Sequence, residues 1–177
     1  MHHHSPHPVA FRPLNLALLT VSDTRTAAED RSGQWLREQV TAAGHRLCEQ
    51  SLCPDDIYQL RALLSRWIAD PQIQVVISTG GTGITGRDTT PEAITPLLDK
   101  SIAGFGELFR SLSLAEIGTA AIQSRALAGL ANGTLIFCLP GSTGACRTAW
   151  DQILAAQLDN RTTPCNFVQL IDRLTES

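Results

Sequence analysis

The chain has 177 residues and a formal net charge of −3 at pH 7, a length that suits a single domain with a substantial core. The negative balance argues against nucleic acid as the main partner, because phosphate backbones call for a basic protein face. No apolar run reaches the roughly 18 residues of a membrane span and no secretory signal is present, so we expect a cytoplasmic protein without a membrane partner.

Residues 1–12 are predicted to form a flexible arm of tag or linker composition, followed by one domain over residues 13–177. The arm holds all the histidines except His45, so a histidine base or a histidine-rich metal site is not expected. His45 follows a helix end, where we expect a partly exposed residue. The five cysteines lack CxxC spacing and are expected to be reduced. Cys146 lies near a glycine-rich helix start, a position that can lower the pKa of a thiol, but with no histidine to pair with it we do not expect a nucleophile.

The first half of the chain alternates strand and helix. Residues 14–21 form a buried apolar run typical of a strand. A helix with an apolar stripe follows and is predicted to stop at Gly44. Residues 45–53 are predicted to form a second strand, and Pro54 with Asp55 to open a second helix.

A glycine-rich turn then follows the β-branched strand predicted over residues 73–79. Gly80, Gly81 and Gly83 have no Cβ to block positive φ angles or the close approach of a ligand. Successive N–H groups in such a turn can cradle phosphate oxygens. The sequence therefore predicts an anion-binding turn, although a tight turn without a ligand is the simpler alternative.

The helix after this turn has a strong start signal, because Thr89 or Thr90 can cap it and Pro91 and Glu92 fill its first turn. Asp88 is then not needed as a cap, which favours a functional role for its carboxylate. For Asp55, a plain helix cap is as good an interpretation as a catalytic role.

Two common nucleotide motifs almost match the turn. Gly81, Gly83 and Gly86 have GxGxxG spacing, but the helix does not open at the glycines, and the region near Ser101 is neither acidic nor the end of a strand. A Walker A loop would need Lys and Ser or Thr where Arg87 and Asp88 stand. Arg87 could add positive charge to a phosphate path, although a surface arginine is the simpler interpretation. Neither common nucleotide motif fits.

The second half of the chain predicts two helical stretches, to about residue 98 and over 105–117, and then a hairpin around Asn132 and Gly133. A second strand-to-helix turn spans residues 140–144. This order predicts an α/β fold, a three-layer αβα sandwich whose mostly parallel sheet contains one antiparallel strand.

The carboxyl ends of parallel strands meet at one edge of such a sheet, so the turns that follow them should share a crevice. Ser22, Asp55, the glycine turn with Asp88, and the turn over residues 140–144 all follow strands. With two aspartates in this crevice, we expect a bound Mg²⁺ ion, because magnesium is usually held by one or two carboxylates plus substrate phosphates.

Several motifs in their order along the chain resemble the molybdopterin-binding family of molybdenum cofactor biosynthesis. They are TGGTG (79–83), DTTPE (88–92), GFGE (104–107), SRALAG (124–129) and LPGS (139–142). The resemblance extends from about Leu14 to Phe167. It implies a three-layer α/β domain that assembles into homotrimers, or into hexamers of two trimers, and that works with other proteins of the same pathway.

The resemblance also implies an activity, the Mg²⁺-dependent adenylylation of molybdopterin by ATP with release of pyrophosphate. The family's essential aspartates correspond to Asp55 and Asp88, as catalytic residues and as metal ligands. The positions implied around the pterin and the nucleotide are Ser22, Gly80, Gly81, Thr82, Gly83, Glu107, Pro140, Gly141 and Ser142. A non-catalytic molybdopterin-binding or accessory protein is the alternative, since fold and motif do not by themselves decide function.

Overall fold

The computed structural model describes residues 9–176 of the chain. Within them, six strands form a sheet in the order β2-β1-β3-β6-β5-β4. The strands are β1 (Asn15–Val21), β2 (Arg46–Cys53), β3 (Val75–Thr79), β4 (Lys100–Ser101), β5 (Leu127–Ala131) and β6 (Thr134–Leu139). The helices are α1 (Arg31–Ala42), α2 (Ile57–Ala69), α3 (Thr90–Ile94), α4 (Ala103–Ile117), α5 (Thr143–Ala149) and α6 (Ala155–Gln157). Shorter 3₁₀ or π-helical turns are Thr95–Leu97, Gly118–Gln123, Trp150–Leu154 and Val168–Arg173.

The sheet is mostly parallel, as the sequence predicted. Strands β2, β1, β3 and β6 pair in parallel, whereas β5 runs antiparallel to both β6 and β4. The reversal between β5 and β6 occurs at Asn132 and Gly133, whose φ angles are 48° and 79°. A two-residue hairpin turn of this kind needs positive φ at both positions, which Asn and Gly adopt at low cost.

Helices cover both faces of the sheet and complete the predicted αβα sandwich. Alternate residues of β1 point to opposite faces, so Leu16 and Leu18 belong to one buried cluster while Ala17 and Leu19 belong to the other. Helices α1, α4 and α5 pack on the first face, and α2 and α3 on the second. None of the helices over residues 9–176 combines the length and the apolar character needed to cross a membrane.

Most of the predicted arm lies outside the described residues, and its last residues contact the body of the domain. The backbone N–H of Arg12 donates to Oδ1 of Asn160 at 2.8 Å, and the Arg12 guanidinium pairs with Asp172 at 2.7 Å. The expectation that His45 is partly exposed is wrong. His45 is buried, and its Nδ1 accepts a hydrogen bond from the N–H of Leu14 at 3.2 Å. Burial lowers the pKa of His45.

Two local predictions need correction. The helix expected to open at Pro54 and Asp55 begins at Ile57, because Oδ1 of Asp56 accepts the N–H groups of Tyr58 and Gln59 and caps α2. A strand end does occur at Ser101, where β4 adds a two-residue edge to the sheet. Two residues are too few to show a periodic pattern in sequence.

Phe137 gives a test of the first buried cluster. It is fully buried on β6, with ring centroids 5.3 Å from Phe105 and 5.7 Å from Phe167. We expect Phe137→Ala to lower the free energy of unfolding by about 3–5 kcal/mol, because it removes buried apolar surface and leaves a cavity. Urea denaturation of the variant and the wild type would measure this change in the free energy of unfolding. Tyr58→Ala, at a position 76% exposed, is the control and should stay within about 1 kcal/mol.

Candidate functional site

A cleft of about 520 Å³ opens at the carboxyl ends of β1, β3 and β6. The cleft lies beside β1, where the strand order changes direction because β2 is on one side of β1 and β3 is on the other. Open α/β sheets commonly bind ligands at such a point. The structure brings most of the sequence-predicted site residues to its wall. They are Ser22, Gly80, Gly81, Thr82, Gly83, Asp88, Pro140, Gly141 and Ser142.

The glycine turn is packed tightly against the ends of the neighbouring strands. The N–H of Gly80 donates to the carbonyl of Leu139 at 3.0 Å. A Cβ on Gly80 would collide with the carbonyl of Val21. Gly80 and Gly81 have φ angles of 104° and 67°, values that side-chain-bearing residues rarely adopt. Close approach and positive φ together explain why glycine occupies these positions.

Asp55 lies against the outside of this turn and is not part of the cleft wall. Its Oδ1 accepts from the backbone N–H of Thr89 at 3.0 Å and from the Thr89 hydroxyl at 2.5 Å. Its Oδ2 lies 2.6 Å from the position of a Cβ on Gly81. Asp55 therefore connects the start of α2 to the start of α3 and fills the space that the missing side chain of Gly81 leaves.

Thr89 occupies the N-cap position of α3, as predicted, but its hydroxyl does not make the capping bond. The Thr89 hydroxyl instead donates to Asp55. The Thr90 hydroxyl donates to the carbonyl of Gly80 at 3.0 Å. Both threonines thus hold the glycine turn, and the carboxylate of Asp55 satisfies the Thr89 N–H near the start of α3.

Asp88 lines the cleft beside the glycine turn. Its Oδ2 accepts from the hydroxyl of Thr85 at 2.6 Å and from the Thr85 N–H at 3.0 Å. The bond from the Thr85 hydroxyl is the main reason why the pKa of Asp88 lies below its ordinary value, and the bond from the Thr85 N–H adds to it. Both bonds favour the charged form of the carboxylate. Asp88 is therefore ionised at neutral pH.

Arg125 fixes the loop over residues 83–88 and was not singled out from the sequence. Its Nε donates to the carbonyl of Gly83 at 2.8 Å, and one terminal nitrogen donates to the carbonyl of Asp88 at 3.0 Å. The other terminal nitrogen pairs with Glu92. One planar guanidinium thus contacts both ends of the loop and the first turn of α3. Its place in the SRALAG motif was the signal available in the sequence.

Two other arginines lie near the cleft. Arg87, which the sequence left as a surface residue or a phosphate contact, is 76% exposed and pairs with Asp23. Oδ1 of Asp23 also accepts the N–H of Asp55 at 2.9 Å. Arg87 therefore ties the loop over residues 83–88 to the loop after β1. Arg25 lies on the cleft wall, where it donates to the carbonyl of Gly141 at 3.3 Å.

Two glutamates on α4 differ in position: Glu107, which the resemblance implied as a site residue, and Glu116, which the sequence did not single out. Glu107 is exposed and lies outside the cleft, in a smaller depression together with Ile102, Gly106 and Arg110. Glu116, nine residues further along α4, lies on the cleft wall. No motif in the sequence marks Glu116, and only the orientation of α4 brings it to the cleft.

The helix start near Cys146 does not lower the pKa of its thiol, and the expectation that it is not a nucleophile agrees with its surroundings. Burial raises the pKa of its thiol to about 11, and the sulfur lies 3.3 Å from the hydroxyl oxygen of Thr79. The side chain therefore acts as a small buried group between β3 and α5 and is not a nucleophile.

Comparison with known proteins agrees with the fold and the motifs. The family model described as "Probable molybdopterin binding domain" matches residues 17–160. The chain belongs to this molybdopterin-binding family.

Two relatives of the chain are called molybdenum cofactor biosynthesis protein B. That of Escherichia coli strain K12 is 54% identical over 157 residues, covering 89% of this chain and 92% of the relative. That of Halalkalibacterium halodurans is 46% identical over 150 residues, covering 84% and 88%.

Solved structures are also similar. A crystal structure of molybdenum cofactor biosynthesis protein B has a TM-score of 0.85 at 36% identity and covers 96% of this chain and 100% of its own. The tungsten cofactor synthesizing protein MoaB from Pyrococcus furiosus has a TM-score of 0.74 at 36% identity, with coverage of 82% and 93%.

The packing of the glycine turn predicts a contrast between two glycines. A Cβ on Gly81 would collide with the Thr90 hydroxyl and lie 2.6 Å from Asp55, whereas nothing lies within 4 Å of a Cβ on Gly86. We expect Gly81→Ala to lower the free energy of unfolding by about 1–3 kcal/mol. The control, Gly86→Ala, should change it by less than about 1 kcal/mol. Equal urea midpoints for the two variants would contradict this account.

The cysteines predict a labelling pattern. Cys48 and Cys165 are exposed, whereas Cys146 is fully buried. Alkylation of the native protein with iodoacetamide at pH 8, read by mass spectrometry, should modify Cys48 and Cys165 and leave Cys146 intact. Labelling in urea is the control, because unfolding removes the protection of Cys146. Rapid modification of Cys146 in the native state would contradict its raised pKa.

Proposed function

We propose that this protein acts in molybdenum cofactor biosynthesis and transfers the adenylyl group of ATP to molybdopterin. The observation that carries the proposal is the juxtaposition of the glycine turn with the ionised Asp88 on the wall of one cleft. The family membership and the names of the relatives support the choice of molybdopterin as the substrate.

The cleft offers two groups of phosphate contacts. Residues 80–83 follow β3, and Pro140, Gly141 and Ser142 follow β6. Glycine-rich turns can direct several backbone N–H groups at one anion. Arg25 adds a guanidinium on the same wall. These features support binding of the pterin's terminal phosphate and of the ATP phosphates close together.

The proposed reaction is an in-line displacement. An oxygen of the terminal phosphate of molybdopterin attacks the α-phosphorus of ATP. A new P–O bond forms, the bond from the α-phosphorus to the bridging oxygen breaks, and pyrophosphate leaves with that electron pair. Such transfers depend mainly on positioning and on charge stabilisation, so no histidine or catalytic lysine is required.

Asp88 fits a role in holding Mg²⁺ together with phosphate oxygens, and the family resemblance assigns the same role to Asp55. Over residues 9–176, no three His, Cys, Asp or Glu side chains come together as a complete protein metal site. Magnesium usually takes only one or two carboxylates and completes its shell with phosphates and water. Oδ1 of Asp88 accepts neither of the Thr85 bonds, which supports Asp88 as the ligand from the cleft wall, whereas Asp55 holds the start of α3 from outside the turn. When bound, Mg²⁺ would neutralise charge on the phosphates.

A non-catalytic molybdopterin-binding protein is the second candidate. The observation that favours it is that both aspartates already act as structural acceptors, Asp55 for Thr89 and Asp88 for Thr85. A protein that only binds molybdopterin would also need these aspartates to hold the glycine turn in shape. Turnover distinguishes the two candidates, because only the enzyme releases pyrophosphate.

We further propose that the chain forms a homo-oligomer, the trimer or hexamer that the resemblance implies. Exposed apolar side chains support this proposal. Leu108 and Leu114 on α4 and Ile122 in the turn after it are 48%, 55% and 84% exposed, and exposed apolar surface is found at subunit contacts. Glu107 lies outside the cleft of its own chain. In an oligomer it could instead contact the ligand bound in the cleft of a neighbouring copy.

The decisive experiment incubates the protein with molybdopterin, ATP and Mg²⁺ and measures adenylylated molybdopterin and pyrophosphate. We expect product with the wild type, and a rate about 10²–10³-fold lower in Asp88→Asn, because a neutral amide is a much weaker Mg²⁺ ligand than the carboxylate and the phosphate charge is then less well neutralised. Asp151→Asn, at an exposed position in the turn after α5, is the control and should keep the wild-type rate.

The binding of molybdopterin should be measured alongside the rate. Tight binding without product in the wild type would favour the accessory role. A wild-type rate in Asp88→Asn would remove Asp88 from the proposed chemistry.

A further inference from the structure

One wall of the cleft is formed by a single face of α4. Phe109, Ser113, Glu116 and Ile117 all line the cleft. Their spacing of four, seven and eight residues places them on one side of an α-helix. The phosphate contacts proposed above all come from the strand ends, whereas this wall combines apolar surface with one carboxylate. The cleft therefore has two chemically different sides.

The carboxylate of Glu116 is held by a neighbouring helix. The hydroxyl of Thr148 on α5 donates to Oε2 of Glu116 at 2.7 Å, and the side-chain amide of Gln152 donates to Oε1 at 3.4 Å. Thr148 lines the cleft as well. An ionised carboxylate has about four acceptor positions, so these two bonds leave lone pairs on both oxygens.

An oriented carboxylate at this place has a clear preference among ligand groups. It repels phosphate and other acceptors, and it binds N–H donors. A flat heterocycle that presents two adjacent N–H donors fits both oxygens at once. The apolar side chains around Glu116 suit the ring itself, since ligand pockets commonly combine apolar walls with a few placed polar groups.

We propose that Glu116, positioned by Thr148, recognises the 2-amino-4-oxo pyrimidine edge of the pterin ring. This inference rests on the proposed function, because it assigns the part of the same cleft that takes the heterocycle of molybdopterin. The edge carries the ring N3–H and the 2-amino group side by side, and each donates to one carboxylate oxygen. Glu116 is then a specificity-determining residue and Thr148 a positioning residue.

The same chemistry separates pterin from adenine. Adenine presents its amino group beside a ring nitrogen that accepts, so a carboxylate opposite this edge gains one bond and opposes one lone pair. A site built for N–H donors discriminates strongly against a ligand that lacks them. Guanine shares the 2-amino-4-oxo edge, and the experiment therefore includes it as the second source of this chemistry.

The test measures dissociation constants of the full-length protein by calorimetry for 6-hydroxymethylpterin monophosphate, guanosine monophosphate and adenosine monophosphate. We expect Glu116→Gln to weaken the pterin ligand by about tenfold or more, because a charge-assisted acceptor is replaced by an amide that also presents a donor. Affinity for adenosine monophosphate should change by less than about twofold. Thr148→Val should weaken the pterin ligand less than Glu116→Gln does, because the carboxylate remains but is no longer oriented.

Glu38→Gln is the matched control, an exposed glutamate on α1 outside the cleft, and it should leave all three affinities unchanged. Unchanged pterin affinity in Glu116→Gln overturns the inference and leaves the proposed function standing. Pterin binding that depends on Glu116, without adenylyl transfer in the wild type, supports the inference and overturns the proposed enzyme activity. Tighter binding of guanosine monophosphate than of the pterin ligand overturns the assignment to a pterin.

Discussion

The close contact of three strand ends at Gly80 is the constraint on which the rest of the site depends. The N–H of Gly80 bonds to the end of β6, and its Cα faces the carbonyl of Val21 at the end of β1. Gly141 also approaches closely, since a Cβ on it would lie 3.2 Å from the Cα of Gly80. Side chains at these positions would separate the strand ends. Their absence brings the turn after β3 and the turn after β6 to the same cleft.

The loop over residues 83–88 depends on polar contacts and not on a core of its own. Ile84 within it is 70% exposed, so hydrophobic burial contributes little to its position. Arg125 bonds to carbonyls at both ends of the loop, and Arg87 pairs with Asp23. Asp55 fixes the start of α3 just after it. The position of Asp88 is thus set by charged groups from three other parts of the chain, whose bonds hold the loop in one geometry.

Much of the fold was predictable because its signals are local. The apolar strand at β1, the helix stop at Gly44 and the hairpin at Asn132 and Gly133 each depend on a few neighbouring residues, and the structure confirms all three. Strand β4 was missed because it has two residues. The cap of α2 was assigned to the wrong aspartate because Asp55 and Asp56 are both competent acceptors. Asp56 makes the local capping bonds, whereas tertiary contacts with Asp23 and Thr89 hold Asp55.

The sequence by itself determined the order of the longer strands and helices, the glycine turn and the family, because these follow from periodicity, from glycine's lack of a Cβ and from short contiguous motifs. Only the tertiary structure decided which carboxylate faces the cleft. Asp55 and Asp88 both follow strands in the sequence, yet Asp55 packs outside Gly81 while Asp88 lies on the wall. Likewise, Glu107 lies outside the cleft and Glu116 inside it. The physical reason is that the direction of a side chain depends on how its helix or loop packs against distant residues.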